Sequence, residues 1–170
     1  MKNIVVSAFV LGSVLVFGQN SEKLFLSKKD RPTVVVNDSI LGNMELLRTL
    51  PESAIKNVEM HKRAAPGKSD PLNFNEYGLM RITAEAAVVT KSQEELRSFM
   101  GLPAETPVYM DGFLLKDEKY GFAVASIKEI EIIEPNDTDL ISTKAINVWT
   151  LGKEARFGPS FLRTADSLIK

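Results

Sequence analysis

Residues 107–150 read PVYMDGFLLKDEKYGFAVASIKEIEIIEPNDTDLISTKAINVWT. The run 107–110 predicts a strand, Asp111-Gly112 a tight turn and 113–115 the returning strand. A polar loop with a glycine follows at 116–121, and 122–125 reads as a single helical turn. Residues 127–134 alternate Ile130 and Ile132 against Glu129 and Glu131, the pattern of a half-buried strand. The run PNDTD at 135–139 supplies turn residues. A last strand over 145–151 carries Trp149, the only tryptophan, and Gly152 ends it.

The same outline stands earlier in the chain. TVVVND at 33–38 matches PVYMDG at 107–112, AIKNVEM at 54–60 matches SIKEIEI at 126–132, and GLMRIT at 78–83 matches AINVWT at 145–150. The offsets are 74, 72 and 67 residues, a drift that loops absorb. In the first unit, 33–36 is β-branched and favours a strand. Asn43 is placed to cap a short helix bearing Met44, Leu46, Leu47 and Leu50, which Pro51 stops. Residues 55–61 alternate as a half-buried strand, 63–75 is a loop, and Tyr77-Gly78 leads into a long strand over 79–89, kinked near Ala84. A unit of about 50 residues is marginal alone. The two are therefore expected to pack on each other, with pseudo-twofold symmetry as one arrangement.

The remaining segments frame these units. Residues 1–18 carry one charge, Lys2, and an apolar run over 4–17. As a helix that run spans about 21 Å, short of the roughly 30 Å hydrocarbon core that an uncleaved anchor must cross. The segment reads as a secretory signal peptide cleaved after Gly18, and membrane contact is expected only through it before cleavage. Residues 19–31 form a polar N-terminal segment whose Leu24, Phe25 and Leu26 touch the body. Unit one covers 32–89, unit two 104–152. A connecting helix over 90–103 begins at the capping box Ser92-Gln93-Glu94-Glu95, shows Leu96, Phe99 and Met100 on its apolar face, and ends at Gly101. The tail, 153–170, predicts a modest helix from Ser160.

Composition narrows the function. Loss of Lys2 moves the formal net charge from −1 to −2, so neither nucleic acid nor an anionic surface is implied as a partner. With no cysteine there is no disulfide framework, and stability must come from packing. The expected destination is the periplasm, with the extracellular space as the alternative.

The motifs resemble the plug domain of TonB-dependent outer-membrane receptors. Pro107, Tyr109, Asp111 and Gly112 follow its opening segment, Ile127, Ile130 and Ile132 its middle strand, and residues 146–150 its last strand. In unit one the counterparts are Pro32, Val35 and Asp38, then Ile55, Val58 and Met60, then Tyr77, Gly78, Ile82 and Thr83. Unit two departs from that pattern at Ala145, where the family prefers glycine, and in its 134–145 loop. Residues 31–36 also resemble the short TonB box, but their match to a strand in unit two favours the strand reading. The chain is too short to hold a transmembrane barrel. The resemblance implies an α+β fold of two small plug-like strand-helix-strand-strand repeats packed together, mainly β-sheet with short helices. It implies a free-standing module that cannot itself transport.

The sequence shows no catalytic constellation. His61 is the only histidine, too few for a usual zinc site. Ser53 to Lys56 matches Ser-x-x-Lys without its partner motifs, as does Ser167 to Lys170. Asp137 and Asp139 lack the rest of a calcium loop, and Glu129, Glu131 and Glu134 read as the wet side of a strand. No cofactor or metal is expected. The expected function is non-enzymatic: binding of an envelope protein partner through sheet edges or loops. Tyr77, Tyr109, Asp111, Gly112, Phe113 and Trp149 are the candidate contacts. The second reading places a small ligand in the groove between the repeats, near Tyr109, Phe113 or Trp149, and a hydrolase is the remote third.

Overall fold

The structure is a computed structural model that describes residues 21–27, 32–61 and 77–157. The expected signal peptide, the 63–75 loop and the tail helix from Ser160 lie outside the described residues. Among the described residues ten strands form two mixed sheets and two short helices accompany them, an α+β fold that is mainly β.

The first unit builds β1 (Thr33–Val36), β2 (Ile40–Gly42), β3 (Ile55–His61) and β4 (Leu79–Ala84). β1 pairs antiparallel with β2 and parallel with β4, and β3 pairs antiparallel with β4. The second unit builds β6 (Val108–Met110), β7 (Phe113–Leu114), β9 (Glu129–Ile133) and β10 (Ala145–Trp149). β6 pairs antiparallel with β7 and parallel with β10, and β9 pairs antiparallel with β10. The strand order β3-β4-β1-β2 therefore repeats as β9-β10-β6-β7. Register corrects one sequence match. Val36 faces Ile82 and Met110 faces Val148, so Ile82 is the counterpart of Val148 and not of Trp149. A one-residue slip in a strand exchanges its faces.

Faces then decide how the units stack. Val34, Val36 and Ile82 lie in one cluster with Leu46 and Leu50. Their counterparts Val108, Met110 and Val148 lie in the central cluster, against Val35, Leu41 and Leu79 of unit one. The counterparts of those last three, Tyr109, Leu114 and Ala145, pack in a third cluster with Leu24 and Ile141. Equivalent faces do not meet. The front of unit two sits on the back of unit one, a head-to-tail stack that replaces the expected pseudo-twofold.

Two strands tie the units together. β8 (Gly121–Ala123) runs parallel to β2, and β5 (Thr90–Lys91) pairs with β8, giving a first sheet of six strands. The helical turn expected at 122–125 is thus a strand followed by a 3-10 turn over Val124–Ser126. Asn43 Nδ2 donates to the Thr150 carbonyl at 2.7 Å, and Ser126 Oγ accepts the Asn43 N–H at 3.2 Å, both buried at the junction.

Other local differences have plain causes. Asn43 Oδ1 does accept the Glu45 N–H, at 2.9 Å, but the helix is a 3-10 turn over Leu46–Thr49. β4 ends at Ala84, where the Asn37 side chain takes the backbone, so the long strand to Val89 does not form. The capping box stands at the start of α1 (Gln93–Phe99). Gly101 adopts φ +66, and Leu102 N–H bonds the Arg97 carbonyl at 2.9 Å, closing α1 as expected. The buried face of α1 is Gln93, Leu96 and Arg97, while Phe99 points to solvent. Gln93 donates to the Asp117 and Tyr120 carbonyls, and Arg97 forks onto Glu118. α2 (Lys153–Phe157) follows β10.

Candidate functional site

Five of the six expected contact residues are core. Tyr109, Asp111, Gly112, Phe113 and Trp149 are buried, and only Tyr77 is exposed. Their work is structural. Asp111 and Gly112 have φ +50 and +84, so the hairpin turn between β6 and β7 has the two left-handed residues of a type I′ turn. Asn37 and Asp38, at φ +48 and +59, open the corresponding turn of unit one. The Asp111 carboxylate accepts the Thr150 N–H and the Thr150 hydroxyl, each at 2.7 Å. Asn37 clasps Ala84 in the same way, accepting its N–H at 3.0 Å and donating to its carbonyl at 2.9 Å. In each unit one side chain locks the turn to the end of the parallel partner strand. Trp149 donates to Glu131 at 2.8 Å, and the Arg156 guanidinium stacks 4.3 Å over its ring. Arg156 also pairs with Glu129, and this hydrogen bond holds the Glu129 carboxyl below its ordinary range.

The sheet edges are the parts of the fold open to a partner. β3 is an edge strand of seven residues whose only strand neighbour among the described residues is β4. It is not half-buried as expected: Val58 and Met60 are 48 % and 57 % exposed. They face Ile82 and Met80, so they stand at the uncovered margin of the cluster under the 3-10 turn. Their counterparts Ile130 and Ile132 lie on the front of unit two, and Ile130 packs on the central cluster. Head-to-tail stacking thus covers this edge strand in part in unit two, at Ile130, while Ile132 stays 38 % exposed, and leaves it barer in unit one.

The edge of β7 is closed instead by residues 21–27, an N-terminal strap. Leu24 N–H bonds the Gly112 carbonyl at 2.7 Å, and Leu114 N–H bonds the Glu22 carbonyl at 3.0 Å. Tyr109 Oη donates to the Ser21 carbonyl at 2.8 Å, and Asp139 accepts the Phe25 N–H at 2.6 Å. Burial, with Asp139 nearby, pushes the Tyr109 hydroxyl up to about 12. One apolar side chain, Leu24, is buried. Its burial contributes about 1.5–3 kcal/mol and four hydrogen bonds about 0.5–1.5 kcal/mol each. Ordering seven residues costs about 1–2 kcal/mol each, so the terms cancel to within a few kcal/mol. Ser27 Oγ and Asn147 Nδ2, both beside Gly112, are buried with no hydrogen-bond partner, which weakens the seat further.

Concave features are modest. A cavity of about 90 Å³ lies at the junction of the units, lined by Pro32, Asn43, Met44, Thr150 and Leu151. Tyr109, Phe113 and Trp149 do not line it. A wider, open groove of about 600 Å³ runs along α1 past Arg97 and Glu118. No group of three or more His, Cys, Asp or Glu side chains is placed to hold a metal among the described residues. His61 sits 3.3 Å from Glu59, Lys56 pairs with Glu85, and Glu134 pairs with Lys144. No helix among the described residues is long and apolar enough to cross a membrane.

The exposed edge had no signature in the sequence, because alternation reads the same whether or not a strand has neighbours on its apolar side. Buried Gln93, Arg97 and Asn147 were missed because polar residue type argues for the surface. Comparison with protein families, curated proteins and solved structures found no match.

Proposed function

We propose that this chain is an exported, non-enzymatic interaction module of two plug-like units that takes an extended strand of an envelope protein along β3. The observation that carries the reading is an open seven-residue edge with two half-exposed apolar side chains, Val58 and Met60. An added strand would pair with the backbone groups of β3 that face away from β4, which have no strand partner among the described residues, and extend the apolar cluster that ends at those two residues. The molecule already closes two of its edges in this way, β2 with β8 and β7 with the strap. A junction cavity of about 90 Å³ is small beside ordinary ligand pockets of about 300–1,000 Å³, which favours the edge over the small-ligand reading.

The test places a photo-crosslinking residue at Glu59 in living cells and identifies the envelope protein captured. Binding of that purified protein is then measured for the unaltered chain and for Val58→Lys with Met60→Lys. The expected result is a loss of affinity of at least about tenfold with unchanged melting. Equal affinity for both chains would overturn the reading.

A further inference from the structure

The backbone of β3 shows which of its groups are open. The Thr33 and Asn37 N–H groups bond the Gly78 and Ile82 carbonyls. Backbone groups alternate sides along a strand, so Gly78, Met80 and Ile82 turn theirs toward β1. Leu79, Arg81 and Thr83 turn theirs the other way, toward His61, Glu59 and Asn57 of β3. Val58 and Met60, opposite Ile82 and Met80, therefore point their N–H and C=O groups away from the sheet. The same two residues carry the exposed apolar side chains of this edge.

Glu59 stands between them, with its side chain on the opposite face. Asn57 Nδ2 donates to one carboxylate oxygen at 2.9 Å, and His61 Nε2 lies 3.3 Å from the other. The carboxylate is thus oriented by its two neighbours and half-exposed. Arg81, facing Glu59 from β4, pairs instead with Asp38 at 2.7 Å. Among the described residues no lysine or arginine pairs with Glu59.

We propose that Glu59 selects the strand this edge accepts: a segment with a lysine or arginine between two apolar residues. The inference rests on the reading of β3 as the docking edge for a partner. An antiparallel strand bonds β3 through Val58 and Met60, so its middle residue stands opposite Glu59 in a non-hydrogen-bonded pair, with Cα atoms about 4.5 Å apart. The residues on either side of it fall beside Val58 and Met60, on the apolar face. A cation in the middle meets a carboxylate already in place, whereas an acid there meets a like charge. The same geometry argues against a second copy as the occupant. Two β3 strands that pair Val58 of each with Met60 of the other must set Glu59 against Glu59 at the axis. One side chain thus disfavours self-pairing and favours a segment of complementary charge.

Two fluorescent peptides of about ten residues, identical except for Val-Lys-Val or Val-Glu-Val at the centre, are titrated with the purified chain and read by anisotropy. The Val-Lys-Val peptide should bind about fivefold more tightly, and Glu59→Lys should reverse the order. Val58→Pro removes one outward N–H and leaves the β4 ladder intact, so it should weaken both peptides. Equal affinity of the unaltered chain for the two peptides, each weakened by Val58→Pro, would overturn the proposal and leave the edge reading standing. Binding of neither peptide, or binding that Val58→Pro does not weaken, would overturn both. A dimer of the unaltered chain that Val58→Pro dissociates would put a second copy on β3 and overturn the proposal as well.

Discussion

Asp111 shows how one side chain can hold a unit together. It is buried, its backbone is left-handed, and its carboxylate binds both the N–H and the hydroxyl of Thr150. Asp111→Ala leaves the Thr150 N–H without its partner and should cost about 2–4 kcal/mol in urea unfolding. Asp111→Asn should cost less than about 1 kcal/mol, because an amide can accept from the N–H and donate to the hydroxyl. Asn37 already does this kind of work in unit one. Tyr109 gives a second residue-level test. Its hydroxyl titrates near 12 in the fold, against about 10 in the unfolded chain. Raising an acid's pKa favours its protonated form, so stability is intact below about pH 10 and falls as pH rises toward 12. Ultraviolet titration should show one of the three tyrosines ionising about two units late. Removing the strap should bring that step back toward 10.

At the scale of elements, the strap and β7 form the least secure pairing. Gly112 is the point of closest approach: a Cβ there would stand 2.5 Å from Ser27 Cβ and 2.8 Å from Ser27 Cα. Gly112→Ala must therefore move the strap or strain the turn, at a cost of about 1–2 kcal/mol for the left-handed backbone alone. Hydrogen exchange at the Leu24 amide should rise by at least about tenfold, while amides of β1 and β10 stay protected. Equal change throughout the sheets would show that the turn, and not the strap, bears the damage. The hairpins, the strand over 55–61 and the capped helix were legible in the sequence because their signals are local: turn residues, period-two alternation, a capping box. β5 and β8 were not. Two- and three-residue strands exist only because a neighbour's edge is in reach, and no local pattern records that.

At the scale of the molecule, β8 belongs to unit two in sequence and to the sheet of unit one in space. The central cluster draws on both units as well. Cutting the chain at Gly101 should therefore leave two halves that each fail to give a cooperative thermal transition alone and recover one when mixed. A cooperative transition in either half by itself would show that the stacking is dispensable. The open edge of β3 belongs to this scale too. Val58 is barer than its counterpart Ile130 because of how the units stack, since Ile130 packs on the central cluster.

The sequence by itself determined the α+β class, the two units, the pairing of 54–60 with 126–132 and the locations of both turns. Periodicity and turn chemistry are properties of a few neighbouring residues, so they are readable before the chain is folded. The tertiary structure decided the rest: the head-to-tail stack, the strand lent by one unit to the other, the strap over β7 and the side chains left at the surface. Strand alternation shows that two faces differ and does not show what each face meets. That is why Tyr109 and Trp149, expected at a surface, stand in the core, while Val58 and Met60, expected on the buried side of a strand, remain half-exposed at the edge.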